Sequence, residues 1–506
     1  MAVIFHPSPE DLFTLTGEMP SARKTRYGTW NVQTKVLARS KGSTRVVSDR
    51  PQEHSDSTIP VAEFERIARL QDDYIRSREM IVVDGTIGND PAFATRARLV
   101  VERGWANIAA MQQILYFGSQ EAGPDWDPEL TVIDTPGLPA PGYPNDRLIA
   151  VDLRSGVTRV LHSDYFGESK KGGLRMWNRL VYDQGGLAMH AGLKSVPVGN
   201  RRRTVLIVGL SGTGKTTTTF TRQNGSSPLQ DDFIGLMPGG RVYATENGCF
   251  AKTYGLSAEN EPAIHKAVTS RHAYLENVSQ NDKGELDFLD ESYTQNGRSV
   301  IRMADIDGAG DMASIGKPEI LLILNRNETI IPGVARLSLP QAAAYFMLGE
   351  TKGTAAGGAE EAGKFLRVPG TNPFFPLLHA QQGNRFLDLL KTCPMEVYLM
   401  NTGRVGGSDT EKRSRKVKIH HSSAIVKGIA EGTIRWTRDP DFGYEVASSV
   451  PGIDDADGGI LRPKELYASQ GRAGEYASAI RTVVRERIEY LRKWPLLRPE
   501  ILAAVS

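Results

Sequence analysis

The sequence predicts an α/β protein of two lobes, one of them built around a phosphate-binding loop. Three observations carry that reading. The chain has 506 residues, too many for one ordinary hydrophobic core. The apolar run Val205–Val208 leads straight into Gly209-Leu210-Ser211-Gly212-Thr213-Gly214-Lys215-Thr216, a G-x-x-x-x-G-K-[ST] pattern set between a strand and a helix start. Short β-rich runs recur at Arg241–Ala244, Ile320–Leu324 and Glu396–Met400, at a spacing that suits a mixed α/β sheet.

The first lobe is expected over residues 1–185. Ser40–Thr44 reads as a polar, turn-forming link, and Asp49–Ser57 as a solvated stretch. Met80–Asp84 reads as a strand, and Arg96–Tyr116 as a helix. The second lobe, residues 186–506, opens on the phosphate loop. Residues Thr351–Gly363 are small and glycine-rich; with little apolar surface to pack, they predict a mobile loop, either a passive linker or a lid. Tyr476, Ile480, Val483, Val484, Ile488 and Leu491 share one helical face. No internal repeat is present.

Composition excludes several classes. The 40% apolar and 24% charged fractions are those of a soluble globular protein. A net charge of +2 gives no drive toward nucleic acid or an anionic membrane. Two cysteines, Cys249 and Cys393, make no disulfide framework and predict a reducing cytoplasm. No run of about 18 apolar residues predicts a membrane span, and the N-terminus lacks the basic-then-apolar pattern of a signal peptide. The sequence leaves the oligomeric state open.

The phosphate loop states its chemistry most directly. Its glycines let backbone N–H groups turn toward a polyphosphate. Lys215 adds a point charge at the β/γ-phosphates and the Thr216 hydroxyl a ligand for Mg²⁺. Asp231-Asp232 follow the loop and are candidates to hold a nucleotide-linked metal; alone, such a pair is a solvated turn. Lys170-Lys171 and His190 lie upstream. Singly, they read as surface charge and a core histidine.

Taken in order, these segments resemble the ATP-dependent phosphoenolpyruvate carboxykinases. Tyr165–Gly172 is similar to that family's Y-G-G-E-M-K-K-G, Met189-His190 to its Met-His, and Gly209–Thr217 is identical to its G-L-S-G-T-G-K-T-T. Asp231-Asp232, Glu246–Thr253 with Glu261-Pro262, Ile331–Ser338 and Asn401-Thr402-Gly403 match further motifs, and Ala38–Thr44 matches one weakly. The resemblance implies the family's two-lobed fold. It implies metal binding at Lys171, His190 and Asp232 (suited to Mn²⁺), with Mg²⁺ and the nucleotide at Thr216. It implies dicarboxylate contacts from Arg39, Tyr165, Ser211 and Arg336, with Lys170, Lys171, Ser211, Lys215, Asp231 and Arg336 as the catalytic set. Nucleotide contacts fall on Gly209 to Thr217 (Gly209, Leu210, Ser211, Gly212, Thr213, Gly214, Lys215, Thr216, Thr217), Lys252, Glu261, Lys416 and Ser422. The implied reaction is conversion of oxaloacetate and ATP into phosphoenolpyruvate, ADP and CO₂.

The match departs at four places: the glycine-rich Thr351–Gly363 is unlike the family's lid, the Arg39 region lacks the family's Pro-Lys-Asp, and two further segments are replaced. Phe233-Ile234-Gly235 replaces an E-H-G that follows the paired aspartates, and Lys416–Ser422 replaces R-I-S-I-K-D-T on the adenine side. Lysine cannot reproduce arginine's stacking on a base. A divergent kinase on the same fold, acting on a different acceptor, is therefore the alternative; a non-catalytic nucleotide-binding regulator is a third.

Overall fold

The computed structural model describes residues 2–119, 126–221, 223–353, 361, 363–454 and 456–505. Its architecture is mixed α/β, as predicted. An eight-stranded sheet takes its strands from the first 161 residues, in the order Ala2–Phe5, Glu79–Ile87, Thr95–Glu102, Leu130–Thr135, Val157–Leu161, Leu148–Asp152, Thr44–Val47, Thr58–Ile59. A ten-stranded sheet spans Leu187–Ser449. A five-stranded sheet joins Ala22–Lys24 and Trp30–Val32 to Tyr274–Glu276, Arg298–Arg302 and Gly248–Lys252, so pairing crosses residue 185.

The centre of the ten-stranded sheet is apolar because it is covered on both faces. Arg201–Val208, Pro318–Asn325 and Glu396–Asn401 lie side by side and parallel. Leu206, Val208, Leu321 and Ile323 pack under the helices Leu339–Leu348 and His379–Thr392, while Val205, Ile207, Ile320 and Leu322 face the helix Ile419–Glu431. That alternation is the two-residue period of a strand. A fourth helix, Phe166–Asp183, is buried along most of its length. It packs against Leu130–Thr135 and Val157–Leu161 of the first sheet and against Leu187–Val198 of the second.

Several sequence expectations stand, and one is corrected. Met80–Asp84 lies in Glu79–Ile87, Ile320–Leu324 in Pro318–Asn325, and Glu396–Met400 in Glu396–Asn401. The helical face from Tyr476 to Leu491 lies in the helix Ala473–Leu491. The expected helix Arg96–Tyr116 is half strand: Thr95–Glu102 is extended, and the helix begins at Ala106. Thr95, Ala97, Leu99 and Val101 are buried in alternation, a period-2 signal that the longer helical window averaged away. Ser40–Thr44 does turn, through a 3-10 segment Lys41–Ser43. Of the glycine-rich stretch 351–363, residues 354–360 and 362 lie outside the described residues; its flanks pair as Glu350–Lys352 with Phe365–Arg367.

Candidate active site

Three parallel strands end on one edge, and the chain crosses their ends in three loops. Gly209–Gly214 follows Val208, Arg326 follows Asn325, and Thr402-Gly403 follows Asn401. Ligands of open α/β sheets bind at this carboxyl edge. Gly212 and Gly214 adopt φ of +85° and +82°, which L side chains rarely adopt. The loop is held from both neighbours: Thr402 Oγ1 donates to the Thr213 carbonyl at 2.6 Å and Arg326 Nη1 to the Gly212 carbonyl at 2.9 Å. The helix Lys215–Phe220 then starts at Lys215.

Strand Leu187–Val198 brings the remaining groups together. It pairs with Arg201–Val208 on one side and with Ser227–Gln230 and Phe233–Leu236 on the other. His190 sits opposite Phe233 in that register, so the break between the two partner strands sets Asp231-Asp232 beside His190. A Cβ at Gly192 would collide with Thr219 of the phosphate-loop helix and press on the Asp231 carbonyl. The strand therefore needs glycine there for the helix to dock. Lys194, two residues on, donates to the Thr218 and Thr221 carbonyls at 2.8 Å each, closing the last turn of that helix.

Asp232 is the hub. Its Oδ1 accepts from Lys215 Nζ at 2.7 Å and lies 2.8 Å from His190 Nε2. Its Oδ2 accepts from Lys170 Nζ at 2.9 Å and from Lys171 Nζ. Burial alone would raise the carboxyl pKa, but the three ammonium groups and His190 hold it well below the usual range. The two lysines separate. Burial lowers both, yet Lys170 has two carboxylates, Asp232 and Glu246 Oε1 at 3.0 Å, and its pKa rises. Lys171 has one, is repelled by Lys170, and falls to about 7. Burial, then Lys215, push His190 down to about 3, so its imidazole is neutral.

These groups open into a cavity of about 370 Å³. Of the expected residues, Arg39, Tyr165, Lys171, His190, Leu210, Ser211, Gly212, Gly214, Lys215, Thr216, Thr217, Asp231, Asp232, Lys252 and Glu261 line it. Glu261 Oε1 accepts from Thr217 Oγ1 at 2.6 Å. The cavity also takes Thr351, Gly353 and Glu361 from the flanks of the glycine-rich stretch.

A family model described as phosphoenolpyruvate carboxykinase matches residues 1–456. Among curated proteins, a phosphoenolpyruvate carboxykinase (ATP) of Rhizobium etli is 31% identical over 419 residues, 80% of this chain and 76% of the relative. One of Aeropyrum pernix is 32% identical over 477 residues, 90% of each chain. The chain belongs to the phosphoenolpyruvate carboxykinase (ATP) family.

Within that carboxykinase fold three of the expected residues lie away from the cavity wall. Arg336 is not in the cavity. It lies opposite Glu445 on an adjacent strand, bonds its carboxylate through Nε at 2.6 Å, and rests on the Trp436 ring. Lys416 is exposed on the short strand Arg415–Lys416. Ser422 lies in the first turn of helix Ile419–Glu431, where its N–H bonds the Lys418 carbonyl, and it too is absent from the cavity wall. Gly209 and Thr213 act from beneath: Thr213 is buried, its hydroxyl bonds the Leu210 carbonyl at 2.7 Å, and Gly209 leaves room for it. Lys170 is not on the cavity wall and meets the site through Asp232, Glu246 and the Phe250 ring.

The sequence reading missed Arg298, Arg326, Phe250 and Phe374, all on the cavity wall. Arg298 sits directly opposite Lys252 across an antiparallel pair. Like charges so placed repel, and no short motif advertises the pairing. Phe233 and Phe374 flank Lys171 Nζ, each ring centroid at 4.6 Å; the Phe233 that breaks the family's E-H-G pattern thus packs on the lysine. His420, His421 and Asp457 also cluster. There the Lys418 N–H donates to His421 Nδ1 at 3.1 Å and His421 Nε2 lies 2.9 Å from Asp457, so His421 caps the helix Ile419–Glu431.

The helix bearing both lysines starts on a buried acid. Glu276 Oε1 accepts from the Phe166 N–H at 2.9 Å. Burial pushes the Glu276 carboxyl up to about 8 against that bond's lowering effect. Between its unfolded value near 4.5 and about 8, the folded state holds a proton that the unfolded state has lost, so the group's contribution to stability falls as pH rises. Glu276→Gln keeps the acceptor and does not titrate. Thermal melting should find this variant level with the parent near pH 5 and progressively the more stable as pH approaches 8.

Proposed function

We propose that this chain converts oxaloacetate and ATP into phosphoenolpyruvate, ADP and CO₂, and that the reaction runs in the cavity around Asp232. One observation carries the reading: the phosphate loop, Lys171, His190 and Asp232 meet in the same cavity as Arg39, Tyr165 and Arg298. Polyphosphate and dicarboxylate can thus lie side by side there. Lys215 and the loop's N–H groups would hold the transferring phosphoryl group. Arg39 and Arg298 would grip carboxylates by their planar forks. Lys171 and its neighbours would hold the negative charge of the enolate that loss of CO₂ leaves.

The family uses ATP with divalent metals, and the residues here fit a metal. Neutral His190 and ionised Asp232 are ligands of the required protonation, and Lys171 is the lysine whose burial favours the neutral amine. His190 Nδ1, Asp231 Oδ1 and Glu246 Oε2 are buried without a hydrogen-bond partner among the described residues. We assign Mn²⁺ to Lys171, His190 and Asp232, and Mg²⁺ to the nucleotide at Thr216. Such an ion would polarise the enolate and phosphate oxygens as a Lewis acid. Two lobes, 1–185 and 186–506, enclosing the cleft, and action in the cytoplasm on small molecules, complete the reading. Among the described residues no helix is long and apolar enough to cross a membrane.

The test follows phosphoenolpyruvate formation from oxaloacetate with ATP, Mn²⁺ and Mg²⁺, beside a Lys215→Ala control. Product that depends on Lys215 supports the carboxykinase. ATP bound or hydrolysed with no phosphoenolpyruvate formed supports a kinase with another acceptor.

A further inference from the structure

Arg326 occupies a position the reaction as described does not use. It is the first residue past strand Pro318–Asn325, whose parallel neighbour is the strand that feeds the phosphate loop. It is exposed, lines the cavity, and fixes one guanidinium N–H on the Gly212 carbonyl at 2.9 Å. That bond uses one of the five donors the fork carries and fixes the group's distance from the loop. Among the described residues Arg326 forms no ion pair, and neither do Lys252 and Arg298 on the same wall. Three cations with no ion-pair partner among the described residues therefore line one cavity, whose carboxylates are Asp231, Asp232, Glu261 and Glu361. The charges act on one another: burial, then Arg298 and Arg326, lower Lys252 to about 8. Such a cluster repels itself and is relieved by a polyanion. An ordinary surface arginine would face solvent away from the cleft, not stand in its wall bonded to the phosphate loop.

We propose that Arg326 is a further nucleotide-contacting residue, a cation presented from the neighbouring strand end to the polyphosphate chain that the phosphate loop holds. The proposal rests on the reading of this cavity as the nucleotide site. In it, the Gly212 carbonyl orients the fork, and the remaining N–H groups meet phosphate oxygens in charge-assisted bonds.

Equilibrium binding tests it with the full chain and three ligands: Mg²⁺-ATP, inorganic tripolyphosphate and AMP. Arg326→Gln should weaken ATP and tripolyphosphate about 10- to 100-fold, the range for a bond to a charged group, and leave AMP nearly unchanged. Arg326→Lys, which keeps the charge, should fall between parent and Arg326→Gln, with all three proteins melting alike. Unchanged ATP and tripolyphosphate affinity in Arg326→Gln overturns the proposal. Equal weakening of all three ligands also overturns it, because the residue then only shapes the loop. If the parent binds ATP but forms no phosphoenolpyruvate, the proposed reaction falls while these titrations still decide Arg326. If the parent binds no ATP, both fall.

Discussion

Lys215→Ala and Asp232→Asn should each cut phosphoenolpyruvate formation by about 10²- to 10³-fold, the scale of losing a preorganised charge at a reacting oxygen, yet they should differ in stability. Asp232 is shared by Lys170, Lys171, Lys215 and His190. Removing Lys215 takes away one cation and leaves the carboxylate paired with two others. No buried charge is stranded, so the variant should melt close to the parent. Asp232→Asn does the opposite. Lys170 keeps Glu246, but Lys171 and Lys215, both buried, lose their acidic partner. Breaking a buried pair from one side costs about 3–5 kcal/mol. The Asn variant should therefore melt several degrees lower, and its melting point should recover in part when Lys171→Met is added, because Lys215 still lacks its carboxylate. Initial rates and calorimetry on the three variants check this. Full activity in a folded Lys215→Ala protein, or equal melting points for the two single variants, would remove Asp232 from the centre of the site.

The parts of the site legible in the sequence are those contiguous in the chain. A phosphate loop is a local object: strand, glycine-rich turn and helix start follow one another, and the loop's two positive-φ residues are both glycine. Lys170-Lys171 and Asp231-Asp232 are visible as pairs because the first turns of one helix and the break between two strands each present neighbours together. What pairing across the sheet assembles is silent. Arg298 enters the cavity because Arg298–Arg302 pairs with Gly248–Lys252, and Glu246 reaches Lys170 from 76 residues away in sequence; neither lies in a motif that names its partner. The same limit explains the misread Arg96–Tyr116. Its first half belongs to a strand whose partners, Glu79–Ile87 and Leu130–Thr135, are distant in sequence, and tertiary pairing overrode the helical pattern. The buried Arg487 on the helix Ala473–Leu491 was equally hidden. Its bonds to Glu350 at 2.9 and 2.6 Å and to the Tyr345 hydroxyl at 2.9 Å tie the helix to the strand beside the glycine-rich stretch.

Arg298 and Arg336 give the sharpest contrast between motif and geometry, and exchanging their roles is measurable. Motif position assigns the substrate arginine to Arg336, but that guanidinium is held by Glu445 on the next strand and is about two-fifths exposed. Exposed pairs of this kind contribute about 0–1 kcal/mol, so Arg336→Ala should leave kcat/KM for oxaloacetate within about twofold and lower the melting point slightly. Arg298 stands opposite Lys252, packs over the Phe250 ring at 5.2 Å, and bonds only the Asn296 side chain, at 3.1 Å, among the described residues. Its fork has donors left for a substrate carboxylate, and the repulsion from Lys252 is relieved when that carboxylate arrives. Arg298→Ala should therefore lower kcat/KM for oxaloacetate by about 10²-fold, in keeping with one lost two-point ionic contact. It should also raise the melting point of the unliganded protein slightly, because a like-charge pair is gone. That pairing of lower activity with higher stability is the signature of a residue placed for its ligand. The reverse pattern, with Arg336→Ala inactive and Arg298→Ala unaffected, would return the carboxylate contact to the motif arginine and require the Arg336–Glu445 pair to open during turnover.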